Sequence, residues 1–76
     1  MLAKFDAKKF RDLRRKNKLT QAGLAEKSSS SDRYIRDLES GRKRNPSAIL
    51  LHQMSEALGV PMEELLDIRS EEENIE

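Results

Sequence analysis

An all-α fold, a compact bundle of five short helices, is what the sequence predicts, and three observations predict it. Apolar residues recur at three- and four-residue spacings along most of the chain. An N-cap residue or a proline precedes each recurrence, and a glycine or a polar turn follows it. No alternating strand pattern of useful length interrupts the series.

The first helix starts at Asp6, a good N-cap, with Phe5 and Phe10 at the positions of a hydrophobic staple. Ala7, Phe10 and Leu13 line its inner face, Asn17 and Lys18 end it, and Arg11, Arg14, Arg15, Lys16 and Lys18 cover its other sides. The second helix is capped by Thr20 and turns Leu24 and Ala25 inward. Its capping box is missing, because Gly23 stands where Glu or Gln would reciprocate, and glycine there costs about 1 kcal/mol relative to alanine. Ser28 to Ser31 make a turn, and Ser31 caps the third helix, Asp32 to about Glu39, with Ile35 and Leu38 inward. Gly41 ends it in a left-handed conformation. Arg42 to Asn45 form a basic loop. Pro46 sets the entry to the fourth helix, capped by Asn45 or Ser47. There Ala48, Leu51, Met54 and Leu58 share a face flanked by Leu50 and Ala57, and Gly59 stops it. Pro61 opens the fifth helix, where Met62, Leu65 and Leu66 pack. Residues 1–68 form one domain, and residues 69–76 an acidic tail that is frayed or a helical extension.

Composition narrows the function. A chain of 76 residues is one domain at most. The absence of cysteine excludes disulfides and thiolate metal sites and fits a reducing cytoplasm. His52 alone forms no metal cluster. No apolar run approaches the roughly 18 residues of a membrane span, and residues 1–6 lack a signal peptide's apolar core. The expectation is a cytoplasmic protein without membrane, metal or cofactor. Paired carboxylates in a cleft, a Ser–His–Asp set and a phosphate loop are all missing. A chain this small hardly encloses the roughly 300 Å³ of a ligand site, so an enzyme is not expected.

Charge points toward a polyanion. The net charge is only +1, but residues 1–44 carry 14 positive charges against six negative, a net of +8, while residues 45–76 carry Arg69 against eight acids, a net of −7. Either the basic half faces a polyanion or the two halves are merely solvated faces of different sign.

The stretch from Leu19 to Pro46 decides between these. Two short helices joined by a tight turn, the second with an exposed polar face, make a helix-turn-helix. A major groove about 12 Å wide admits one helix with its side chains, and the first helix of the pair crosses the backbone and holds the second. From Phe10 to Leu66 the sequence resembles the Cro/C1-type (XRE-like) helix-turn-helix regulators of bacteria and phages. The resemblance is carried by Leu13-Arg14, Leu19-Thr20-Gln21, Leu24-Ala25-Glu26-Lys27, Ile35 and Leu38-Glu39-Ser40-Gly41. It continues through Arg42-Lys43, Asn45-Pro46-Ser47, Leu51, Ala57-Leu58-Gly59-Val60 and Leu65-Leu66.

The resemblance implies a lambda-repressor-like domain that binds double-stranded DNA, a transcriptional regulator acting as a repressor at a pseudo-palindromic operator. It places Thr20 and Gln21 at a phosphate, with Gln21 also bracing the recognition helix. Ser31, Asp32, Arg33, Tyr34, Arg36 and Asp37 fall on the base-reading face. Ser30, Ser40, Arg42, Lys43, Arg44 and Asn45 fall at further phosphates. Side-chain chemistry agrees: Arg33 and Arg36 each offer a bidentate fork to guanine, Asp32 or Asp37 an acceptor to cytosine N4, and the loop cations position without reading sequence.

Several of these residues have a second reading. Asp32 with Arg36, and Arg33 with Asp37, are spaced as surface ion pairs worth a few tenths of a kcal/mol. Tyr34 reaches a thymine methyl or a phosphate, or else covers the gap beside the serine turn. Glu39 reads as a structural partner of Arg14 or Arg15, because a carboxylate near phosphates is costly. His52 reads as a surface residue.

Three features depart from the family. Ser28, Ser29 and Ser30 replace an apolar residue, a glycine and another small or apolar residue. A left-handed serine at 29 costs roughly 1 kcal/mol, and the loss of apolar burial at 28 about 1.5–3 kcal/mol. Gly23 replaces a residue that is often Glu. Asp32 and Asp37 put acids on the reading face. A softer second helix and turn follow. For a homodimer, the candidate interface is Ile49, Leu50, Val60, Met62 and Ile68, apolar residues expected in part at the surface. The competing function is a protein-interaction module, or an antitoxin-type regulator, whose acidic half binds a protein partner.

Overall fold

The computed structural model describes residues 2–69. Four α-helices form the body: α1 Ala7–Lys16, α2 Gln21–Lys27, α3 Asp32–Ser40 and α4 Ala48–Leu58. A short strand precedes them, β1 Leu2–Phe5, and a 3-10 turn, Met62–Leu65, leads into a second, β2 Leu66–Arg69.

Each helix begins on the cap that its sequence supplies. Asp6, Thr20, Ser31 and Ser47 accept the backbone N–H groups of Lys9, Gly23, Tyr34 and Leu50 at 3.0, 2.9, 3.1 and 3.2 Å. Each cap satisfies a donor that the helix start would leave unpaired. Phe5 packs edge-on against Phe10, ring centroids 5.2 Å apart, as the staple requires.

The helix ends share a second device. At α1, Leu19 and Lys18 donate to the carbonyls of Arg14 and Arg15, with Lys18 left-handed at φ 58°. At α2, Ser30 and Ser29 donate to Ala25 and Glu26, with Ser29 at φ 59°. At α4, Val60 and Gly59 donate to Ser55 and Glu56, with Gly59 at φ 70°. These are three Schellman motifs. Gly41, φ 86°, closes α3 with a bond to Leu38.

The core gathers residues from every helix and the 3-10 turn: Phe10, Leu24, Ala25, Ile35, Leu38, Leu51, Met54, Ala57, Leu58 and Leu65. Leu13 and Leu19 pack at its border. Ala48, expected on the inner face of the fourth helix, is the first residue of α4 and is exposed.

The ends of the chain differ from expectation. The fifth helix is one 3-10 turn, because Leu66 leaves it to pair opposite Phe5. The two strands, which the sequence did not announce, run antiparallel, with Ala3 opposite Ile68 and Lys4 opposite Asp67. Phe5 and Leu66 lie half-buried against the core, and the Asp6 N–H donates to the Leu65 carbonyl at 2.9 Å. Arg69, placed at the start of the tail, closes β2, and residues 70–76 lie outside the described residues. Among the described residues no helix is long and apolar enough to cross a membrane.

Candidate nucleic-acid interface

A buried polar network fixes the two helices of the motif. Arg14, 8% exposed, donates from Nε and Nη2 to the two carboxylate oxygens of Glu39 at 2.6 and 3.0 Å. Its Nη1 donates to the Leu19 carbonyl at 2.8 Å, and Gln21 Nε2 donates to Glu39 Oε1 at 3.1 Å. One carboxylate on α3 is therefore held by an arginine from α1 and a glutamine from the first turn of α2. The Arg14 guanidinium is raised above its ordinary range, first by its hydrogen bond to Glu39, against desolvation and with the carboxylate's attraction. It stays charged at any accessible pH. This geometry gives Glu39 the structural role expected of it and selects Arg14 over Arg15 as its partner. It also accounts for the bracing function of Gln21.

The serine turn is polar inside. Ser28 is buried at 2% exposure, and its hydroxyl donates to the Leu24 carbonyl at 2.8 Å and lies 2.8 Å from Ser30 Oγ. The hydroxyl therefore keeps a partner where an apolar residue would have needed none. Ser29 takes the left-handed position expected of it. A Cβ on Gly23 would lie 3.1 Å from Thr20 Oγ1, so glycine leaves the cap its room.

On α3, Asp32, Arg33 and Arg36 are exposed and Asp37 is half-buried. Arg36 lies 3.8 Å from Asp32, both about half exposed, a weak surface pair. The alternative pairing of Arg33 with Asp37 does not form. Asp37 lies 4.0 Å from Arg42, and its carbonyl accepts the Lys43 N–H at 3.0 Å, because the basic loop folds back over the end of α3. Arg33 forms no ion pair among the described residues and projects free. Tyr34 packs half-buried on the core, with Lys43 Nζ 5.8 Å from its ring centroid. Burial pushes the phenol above its ordinary range.

Thr20 and Ser31 are exposed caps with a donor hydrogen to spare. Ser40 donates to the Asp37 carbonyl, and Arg44 donates from Nε to the Gly41 carbonyl at 3.3 Å. Asn45 is exposed, and Ser30 is half-buried in the turn. Of the five apolar surface candidates, Ile49 is 72% and Ile68 44% exposed. Leu50 is half-buried, and Val60 and Met62 pack in part against the core. Sequence reasoning missed the left-handed Lys18, for which a polar residue after a basic helix end is the only signal.

Known proteins resemble the chain in both sequence and structure. The helix-turn-helix family matches residues 10–65. An uncharacterized HTH-type transcriptional regulator, y4dJ of Sinorhizobium fredii, is 44% identical over 57 residues, 75% of this chain and 73% of the relative. The restriction-modification controller protein C.AhdI from Aeromonas hydrophila superposes with a TM-score of 0.73 at 29% identity, covering 78% of this chain and 88% of its own. The clp gene regulator ClgR from C. glutamicum gives 0.69 at 34%, covering 78% and 75%. A chain of the SinR protein/SinI protein complex gives 0.76 at 27%, covering 91% and 72%.

Proposed function

Because the chain belongs to the Cro/C1-type helix-turn-helix family of DNA-binding transcriptional regulators, we propose that α3 reads a short pseudo-palindromic operator as part of a cytoplasmic homodimeric repressor. The observation that carries this reading is the Arg14–Glu39–Gln21 network. It ties α3 to α1 and α2 while Arg33 and Arg36 stay exposed, and a preorganised helix loses little on entering a groove. In this reading Arg33 and Arg36 recognise guanines, Asp32 accepts from a neighbouring cytosine, and Ser31 and Tyr34 sit at the groove's edge. Thr20, Gln21, Ser30, Ser40 and the loop Arg42 to Asn45 hold phosphates. Asp37 acts through Arg42 rather than on a base, since its carboxylate already faces that guanidinium. Exposure of Ile49 supports a second copy at the start of α4.

The test is selection from a random duplex library at near-physiological salt, followed by titration of the enriched sequence. The expected site is two-fold symmetric, with half-sites about 34 Å apart between centres. Arg33→Ala and Arg36→Ala should each lose about 1–3 kcal/mol of discrimination at one base pair per half-site. Selection that enriches nothing would overturn the reading in favour of a protein partner for the acidic half.

A further inference from the structure

The basic loop accounts for one side of α3 only. Arg36 and Ser40 form the border of α3 toward α1, while Asp37 forms the border toward the loop, beside Arg42. The loop cations Lys43 and Arg44 adjoin the second border, around a cleft that also touches Leu38 and Gly41. A helix lying in a major groove has a phosphate backbone on both sides. The first border therefore needs cations of its own, and α3 does not supply them beyond Arg36.

An open groove of about 370 Å³ runs along that border, between α1 and α3. Arg11, Arg14 and Arg15 line its α1 wall, Arg36 and Ser40 its α3 wall, and Gln21 and Glu39 its floor, where the Arg14 guanidinium neutralises the carboxylate that would otherwise repel a phosphate. Arg14 is committed to Glu39, and Arg36 lies near Asp32. Arg11 and Arg15, one helical turn apart, form no ion pair among the described residues. The Nε–H of Arg11 is buried with no acceptor, a donor whose partner is missing and whose desolvation is costly.

We propose that this groove is a second backbone-phosphate site, in which Arg11 and Arg15 hold the DNA strand on the side of α3 opposite the basic loop. The inference rests on α3 being the helix that enters the groove. An anionic oxygen seated between the two arginines accepts from Arg15 and, after a small rotation of the Arg11 side chain, from its Nε–H. Such contacts fix the angle of α3 without reading bases, so α1 is part of the DNA-binding surface and more than a scaffold.

The test compares three double variants of the full chain on the selected duplex and on random duplex, with affinity measured from low to physiological salt. Arg11→Gln with Arg15→Gln should weaken both duplexes by the same factor, about tenfold at physiological salt. It should also make the slope of log K against log salt shallower by about 1–2, since each phosphate contributes about 0.9. Arg11→Lys with Arg15→Lys should keep the wild-type slope. Lys8→Gln with Lys9→Gln removes the same charge from exposed residues outside the groove and should leave the slope unchanged. Arg15→Gln alone, at an exposed position, should give about half the slope change even if the double variant folds poorly. A wild type that selects a sequence, with an Arg11→Gln/Arg15→Gln variant whose slope is unchanged, would overturn the inference alone. So would an equal loss in the Lys8/Lys9 variant. A wild type that selects nothing would remove the α3 reading and this inference with it.

Discussion

The two ends of α2 and the two helix ends behind it use the same backbone geometry with different residues. Chain entry to α2 passes through Lys18 and its exit through Ser29, both left-handed. The ends of α3 and α4 pass through Gly41 and Gly59 at similar angles. A side chain with a Cβ in that conformation costs about 1–2 kcal/mol, which glycine avoids. The helix that carries the recognition helix is thus framed by the two strained turns, contains Gly23, and is the shortest of the four. What offsets this is polar: the Thr20 cap, the Ser28 hydroxyl and, above all, the Arg14–Gln21–Glu39 network. Beyond its core residues Leu24 and Ala25, α2 thus leans on polar contacts that also tie it to α3 through Glu39, whereas α4 is held by its own end and core face.

The network gives the sharpest way to break that contrast. Glu39→Ala leaves the Arg14 guanidinium buried without its carboxylate, so thermal or urea unfolding should show a loss of about 3–5 kcal/mol. A loss under 1 kcal/mol would mean that α2 does not depend on it. Next in size are the turns. Ser29→Gly should raise stability by about 1 kcal/mol and Lys18→Gly by a similar amount, while Gly41→Ala, with open space around its Cβ but φ 86°, should lower it by about as much. If Ser29→Gly failed to raise the melting temperature, strain at that turn would not be what softens α2. The smallest expected effect is Ile49→Glu, within about 0.5 kcal/mol on the stability of the monomer because the side chain is 72% exposed. Its readout is sedimentation: the proposed dimer should weaken, and an unchanged molecular weight would take Ile49 out of the interface.

Much of this was legible in the sequence because it is local. Asp6, Thr20, Ser31 and Ser47 announce helix starts by residue type, Gly41 and Gly59 announce ends, and the 3.6-residue spacing of Phe10, Ile35, Leu38, Leu51 and Leu58 marks the core. Glu39 was legible as a structural carboxylate from the cost of placing it near phosphate. What escaped was non-local. Four-residue strands such as Leu2–Phe5 and Leu66–Arg69 are too short to show a two-residue period, and each exists only because the other lies beside it. Met62 to Leu66 has helical spacing, but the pull of Phe5 on Leu66 ends the turn after Leu65. Asp37 pairs with Arg42 instead of Arg33 because a loop bond from Lys43 to the Asp37 carbonyl brings the arginine over, which spacing along one helix does not reveal.

The β1–β2 ladder has a consequence for the geometry of attachment. Residue 2 pairs with residue 69, so nearly the whole described chain is closed into a ring whose seam lies beside Phe5. The entropy of closing so long a loop grows only logarithmically with its length, so a seam of this kind costs little more than a much shorter one. It also brings residues 2 and 69 to a single location in space. A tag or domain joined before residue 2 and one joined after residue 69 leave from the same corner, side by side. A short turn linking 69 to 2 is all that a circular permutant of this domain requires.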